Sequence, residues 1–100
     1  MQRTRKSSPR QKQTILTRHP RGKTGRRIDK KKYEVTKKAM LAVLGNKQLT
    51  HTELFDGLEK KLKGKVDWNI FWYGETVKLD LEARKIIQRT SDKPQKYRLK

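Results

Sequence analysis

Only four aliphatic side chains, Met1, Ile15, Leu16 and Ile28, fall within the first 32 residues of this 100-residue chain, and that scarcity limits where a core can form. Ordering a backbone costs conformational entropy that apolar burial must offset, and a segment with so little to bury cannot offset it alone. The same 32 residues carry 13 Lys+Arg against one acid, Asp29, which places +12 of the formal +18 in the first third of the chain. The chain therefore predicts a basic segment, 1–28, followed by one domain over 29–100. Residues 1–13 read as a disordered tail. Over 14–28 two readings stay open, because Ile15, Leu16 and Ile28 could dock on the domain with Arg26, Arg27 and Ile28 as a short edge strand.

A surplus of +18 repels itself in a compact state, so an anionic partner is expected. Nucleic acid comes first, since phosphate binding gains from counterion release. An anionic membrane surface comes second. No apolar run approaches the roughly 18 residues of a membrane span, and no secretory-signal pattern follows the basic start. No membrane partner is therefore expected, and a cytoplasmic location is. The sequence has no cysteine, which excludes disulfides, thiolate catalysis and cysteine-ligated zinc. The two histidines, His19 and His51, have no neighbouring acid–nucleophile set and no H-E-x-x-H pattern. The expectation is a non-enzyme with no cofactor and no metal.

The element pattern is clearer beyond Asp29, a good N-cap residue. Tyr33, Thr36, Ala39, Met40, Val43 and Leu44 recur at i, i+3, i+6, i+7, i+10 and i+11, one face of a helix that Gly45-Asn46 ends. Thr50 and Glu53 have capping-box spacing and open a second helix with Leu54, Phe55, Leu58 and Leu62 inward. Gly57 weakens that helix by about 1 kcal/mol relative to Ala, and Gly64 stops it. Val66 and Trp68 anchor a turn. A third helix is predicted over 70–84, with Tyr73, Val77 and Leu81 inward. Val77, Leu79, Leu81 and Ala83 also alternate as a strand would, but the composition favours helix. Trp72 and Tyr73 are expected in the core, the alternative being stacking on unpaired bases. Ile86 to Arg89 and Tyr97 to Leu99 predict a β-hairpin with a loop of about six residues.

Leu81-Glu82-Ala83-Arg84-Lys85-Ile86-Ile87-Gln88-Arg89 resembles the exit from the recognition helix into the wing of winged-helix transcription regulators, with Lys85 where many of them have Gly. Together with Tyr33, Trp72-Tyr73 and Pro94 to Leu99, the stretch 29–100 is similar to a small bacterial branch of winged-helix proteins. The resemblance implies a mainly α domain with one antiparallel hairpin, a winged helix-turn-helix of three helices plus wing. It also implies a DNA-binding regulator of the bacterial cytoplasm or nucleoid.

The residues themselves favour phosphate contact over base readout. Arg21, Lys23, Arg26 and Arg27 of the basic segment and Lys93, Lys96 and Arg98 of the hairpin are the candidate nucleic-acid ligands. The outward face of the third helix centres on Glu75, Leu79 and Glu82, a poor surface for a major groove, with Thr76 and Lys78 flanking it as the residues able to reach DNA. Pro20-Arg21-Gly22-Lys23 partly matches a minor-groove hook but has Lys for the second Arg and lacks the final Pro. Gly22-Lys23-Thr24 ends like a phosphate loop but has Thr17 at the position of the required upstream glycine. The expected function is binding of nucleic acid, duplex DNA ahead of RNA, by tail and hairpin with limited readout from the third helix. The competing functions are an RNA- or ribosome-associated basic protein, and a protein-interaction module or homodimer using the third helix around Leu79.

Overall fold

The computed structural model describes residues 13–23, 25–91 and 93–100, so the predicted tail lies almost wholly outside the described residues. Two short strands open the fold, β1 (Thr14–Leu16) and β2 (Arg27–Asp29). Helix α1 (Lys30–Leu44) follows, then β3 (Leu49–Thr50), α2 (His51–Leu62), α3 (Ile70–Ala83), β4 (Ile87–Arg89) and β5 (Lys96–Leu99). The three helices pack on one another. One antiparallel sheet pairs β1 with β2, and a second runs in the order β3-β5-β4.

The β content exceeds the single hairpin that the sequence predicts. The β4–β5 hairpin is where it was expected, with Arg89 opposite Tyr97 and Ile87 opposite Leu99. Strand β3 has only two residues and exists because Leu49 pairs with Tyr97 and Thr50 with Lys96. A two-residue strand has no alternation to read, so tertiary pairing alone defines it. The open question over 14–28 resolves as a docked ribbon, with Ile15 opposite Ile28 and Ile28 buried in the core.

Local chemistry sets the helix ends. The Asp29 carboxylate accepts the Lys32 N–H at 3.1 Å, and Gly45, at φ 50°, closes α1. The capping box is reciprocal: the Thr50 N–H donates to Glu53 Oε1 at 2.9 Å, and the Glu53 N–H donates to Thr50 Oγ1 at 3.2 Å. Helix α3 starts on a cap the sequence reading had not used, the Asn69 side chain, which accepts the Trp72 N–H at 2.8 Å.

The core is the expected inner face of α1 and α2, joined by Val77 and Leu81 of α3, Ile87 and Tyr97 of the second sheet, and Ile28. Only Val43 of the α1 set stays half-buried. Two glycines allow the helices to close. A Cβ on Gly74 would lie 2.7 Å from Phe55 Cε2, and one on Gly57 would lie 2.7 Å from Val43 Cγ1. Close packing thus offsets the helix propensity that Gly57 forfeits. The register of α3 departs from expectation: Gly74, Val77, Lys78, Asp80 and Leu81 are buried, Tyr73 is half-buried and Trp72 is exposed. With about 100° per residue, a face centred between Gly74 and Val77 turns Trp72 outward.

Helix α3 ends in a Schellman motif. The Ile86 N–H donates to Leu81 O at 2.9 Å and the Lys85 N–H donates to Glu82 O at 3.1 Å, with Lys85 left-handed at φ 64°. A left-handed lysine costs roughly 1–2 kcal/mol, while glycine there returns only about 0.4–1 kcal/mol to the unfolded chain. Replacing Lys85 with Gly should therefore raise stability in urea melts by about 0.5–1 kcal/mol. Replacing the fully buried Leu81 with Ala should lower it by about 2–5 kcal/mol.

Candidate nucleic-acid interface

The link between β1 and β2, residues 17–26, forms a strap beside α3. Its two ends are fastened together at Thr17. The buried Thr17 hydroxyl donates to Arg26 O at 3.1 Å and accepts the Arg26 N–H at 2.8 Å, and the Thr17 N–H also donates to Arg26 O at 2.8 Å. A Cβ on Gly25 would fall 1.7 Å from Thr17 O, so no larger residue fits in this closure. A hydrogen bond and a cation–π contact join the strap to α3. The Arg18 N–H donates to Asp80 Oδ1 at 2.8 Å, and the Arg26 guanidinium lies 5.7 Å over the Trp72 ring.

The carboxylates of α3 all find partners in the same chain. Asp80 is fully buried and accepts from the Tyr33 hydroxyl, from Arg84 Nε at 2.8 and 2.9 Å, and from the Arg18 N–H. Burial pushes the Tyr33 phenol well above its ordinary value, and the hydrogen bond to Asp80 adds to the shift. The bond to Asp80 also raises Arg84. Glu82 binds Arg89 Nε, with a second contact from the Arg89 guanidinium at 3.3 Å, and raises Arg89 in the same way. Glu75 lies 3.1 Å from His51 Nε2 and 3.5 Å from Lys78 Nζ. The helix face that looked acidic in the sequence is therefore internally neutralised.

Lys78 is a correction. It is only 2% exposed, and its ammonium donates to Tyr97 Oη at 3.3 Å and to Glu82 Oε2 at 3.4 Å. It also lies 4.7 Å over the Tyr97 ring. A lysine so enclosed is part of the core and cannot reach DNA. Thr76 is half-buried and lines a small crevice with Leu79 and strap residues Thr17, Arg18 and Gly25, so it faces the strap.

The remaining candidates fall into three groups. Arg21 and Lys23 are exposed and, with His19, form one side of a groove whose floor is Glu75, Leu79 and Glu82 and whose other side is Arg89 and Gln95. Arg26 and Arg27 are exposed at the root of the strap, and Arg27 Nη1 donates to Thr14 Oγ1 at 3.2 Å. In the β4–β5 hairpin Lys93 is exposed, and Lys96 is half-buried with its N–H bonded to Thr90 Oγ1 at 3.1 Å. Arg98, also exposed, lies instead beside Lys47 and Gln48 in a separate depression. The hook-like Pro20-Arg21-Gly22 stretch is a turn, closed by the Gly22 N–H to His19 O at 2.9 Å, and it leads to strand β2 where a phosphate loop needs a helix.

Sequence reasoning had no basis for the strap's closure, which depends on residues nine apart. The spacings Asp80–Arg84 and Lys78–Glu82, each i,i+4, were visible signals for the pairs on α3. Among the described residues no group of three His, Cys, Asp or Glu is placed to hold a metal, and no helix is long and apolar enough to cross a membrane.

Three packed helices with two small sheets and a strongly basic exterior define a small mixed α/β domain. Residues 14–97 match a family of unknown function, DUF6958, and the chain belongs to that family. No curated protein and no solved structure matches it. The family match begins at the first residue of β1, so the ribbon and strap fall within the family's domain.

Replacing Asp80 with Ala should cost about 3–5 kcal/mol, because it leaves Arg84 and Tyr33 without their buried acceptor. It should also release the strap, read as faster tryptic cleavage after Arg18, Arg21 and Lys23. Alkaline titration tests the Tyr33 phenol. Its raised value means that its contribution to stability is complete below the ordinary tyrosine value of about 10 and is lost as pH rises toward the folded one. Near-ultraviolet absorbance should show the Tyr33 phenol ionising above the ordinary tyrosine range, and Tyr33→Phe should remove that part of the alkaline loss of stability.

Proposed function

We propose that the protein is a winged-helix domain that binds nucleic acid, duplex DNA first, through backbone phosphates. It would act where such substrates are found, in a bacterial cytoplasm or nucleoid. The order of three helices and a terminal hairpin, with β3 completing the sheet, supports the winged-helix reading. The observation that carries the binding reading is electrostatic. All three carboxylates of α3 are engaged by cations or donors of the same chain, while Arg21 and Lys23 on the strap and Lys93 on the hairpin stay exposed. The strap also covers the Thr76 side of α3, so the helix is hindered from entering a major groove. Phosphate contacts from strap and hairpin then position the chain, and base readout is small.

Titration of a labelled duplex against salt tests this. Neutralising about 6–8 phosphates should give a log–log slope of roughly −5 to −7. Replacing Arg21, Lys23 and Lys93 together with Ala should weaken all duplexes about equally and reduce the slope by about 2–3. Deleting residues 1–12 removes five more cations and should reduce it further. An unchanged slope in both variants would remove the strap and tail from the interface. Glu75→Gln should change duplex affinity by less than about two-fold, since His51 and Lys78 already engage that carboxylate. A large loss on one sequence alone would instead make Glu75 a base reader.

A further inference from the structure

Two neighbouring side chains in the first turn of α3 break the pattern of an apolar interior, Phe71 at 51% and Trp72 at 41% exposure. Each is the outer end of an aromatic run anchored further in. His51, Phe55 and Phe71 have nearly parallel rings, with centroids 4.3 Å apart at 13° and then 6.1 Å apart at 11°. Trp68, Tyr73 and Trp72 form the other run, with centroids 5.9 Å and 5.0 Å apart. Phe55 is a core residue, and Trp68 and Tyr73 are half-buried, so the exposed rings are held in place without any partner. Cations flank the second run: the Arg26 guanidinium lies over Trp72, and Lys32 Nζ lies 5.5 Å from the centre of Trp68 and 5.9 Å from that of Tyr73.

The charge selects the occupant. A second copy of this chain would bring +18 against +18, which opposes pairing through this face. A nucleobase offers a flat π-face to the rings, and its phosphate offers an anion to the guanidinium beside them. Paired bases keep their faces inside the duplex stack, so only unpaired ones fit.

We propose that Phe71 and Trp72 form a stacking platform for unpaired nucleobases, with Arg26 taking the adjoining phosphate. The inference rests on the phosphate-binding reading and adds to it a site that serves single-stranded stretches only. Stacking is tolerant of base identity because every base has a π-face, so the platform confers a preference for strand state rather than for sequence.

The test compares a labelled dT oligomer of about 16 nucleotides with a blunt duplex of the same length, both by anisotropy near 0.15 M salt. Phe71→Ala and Trp72→Ala, singly and together, are the variants, with far-ultraviolet dichroism and melting to show that each folds. The double variant should bind the dT oligomer at least about ten-fold more weakly and the duplex within about two-fold of the original. Trp72→Phe keeps a flat ring and should retain most of the affinity for the single strand. Unchanged dT affinity in the double variant, or an equal loss on both probes, overturns the platform and leaves phosphate binding in place. Failure of the original protein to bind either probe overturns both readings.

Discussion

The Asp80 carboxylate holds the molecule together at the point where α1, α3 and the strap meet. Removing a carboxylate from water costs several kcal/mol, and the cost is met only when every lone pair has a well-placed donor. Here the donors come from three different places in the chain: the Tyr33 hydroxyl on α1, the Arg84 guanidinium just past α3, and the Arg18 backbone N–H on the strap. Each donor matches a particular approach of its element. The interaction therefore specifies how the N-terminal ribbon sits on the helices more than it adds to net stability. An apolar residue at this place could fill the volume but would give the strap no reason to stop at Arg18.

The same logic explains how a chain of +18 folds at all. Three of its ten acids sit on α3. Asp80 is fully enclosed, Glu82 is nearly so, and Glu75 completes the set on α3, each drawing cations into close contact. The helix surface that must lie against other elements is thereby neutral, and the excess positive charge is left where water screens it. The strap benefits as well, since basic residues can run alongside a helix whose nearest charges are carboxylates.

Much of the helical frame was legible in the sequence, because capping and periodicity are local. Asp29, Thr50 with Glu53, Gly45 and the inner faces of α1 and α2 all act within a few residues of themselves, and the hairpin beginning at Ile87 followed from β-prone runs around a turn. The third helix was legible in extent but misread in facing. Trp72 was assigned to the core on size, whereas the close contact of Gly74 with Phe55 and Leu58 sets the helix rotation and turns the indole outward. Lys78 was assigned to solvent on charge, yet it is buried against Tyr97, a residue nineteen positions away. The candidate interface was the least legible part. Arg21 and Lys23 could be picked out as cations, but only the Thr17–Arg26 closure brings them alongside α3.

Tyr97 has a consequence for mechanics. Two cations lie near its buried ring, Lys78 of the helix at 4.7 Å and Arg89 of the opposite strand at 5.5 Å from the ring centre. Strands of three and four residues make a short ladder, and a six-residue loop carried on it would otherwise behave as a lever on a loose pivot. Tying the ring to the helix through Lys78 and to the neighbouring strand through Arg89, with Glu82 bonded to both cations, stiffens that pivot. The base of the hairpin, at Arg89 and Gln95, then borders the same groove along α3 as the strap residues His19 and Arg21, and a stiff pivot keeps the width of that groove set.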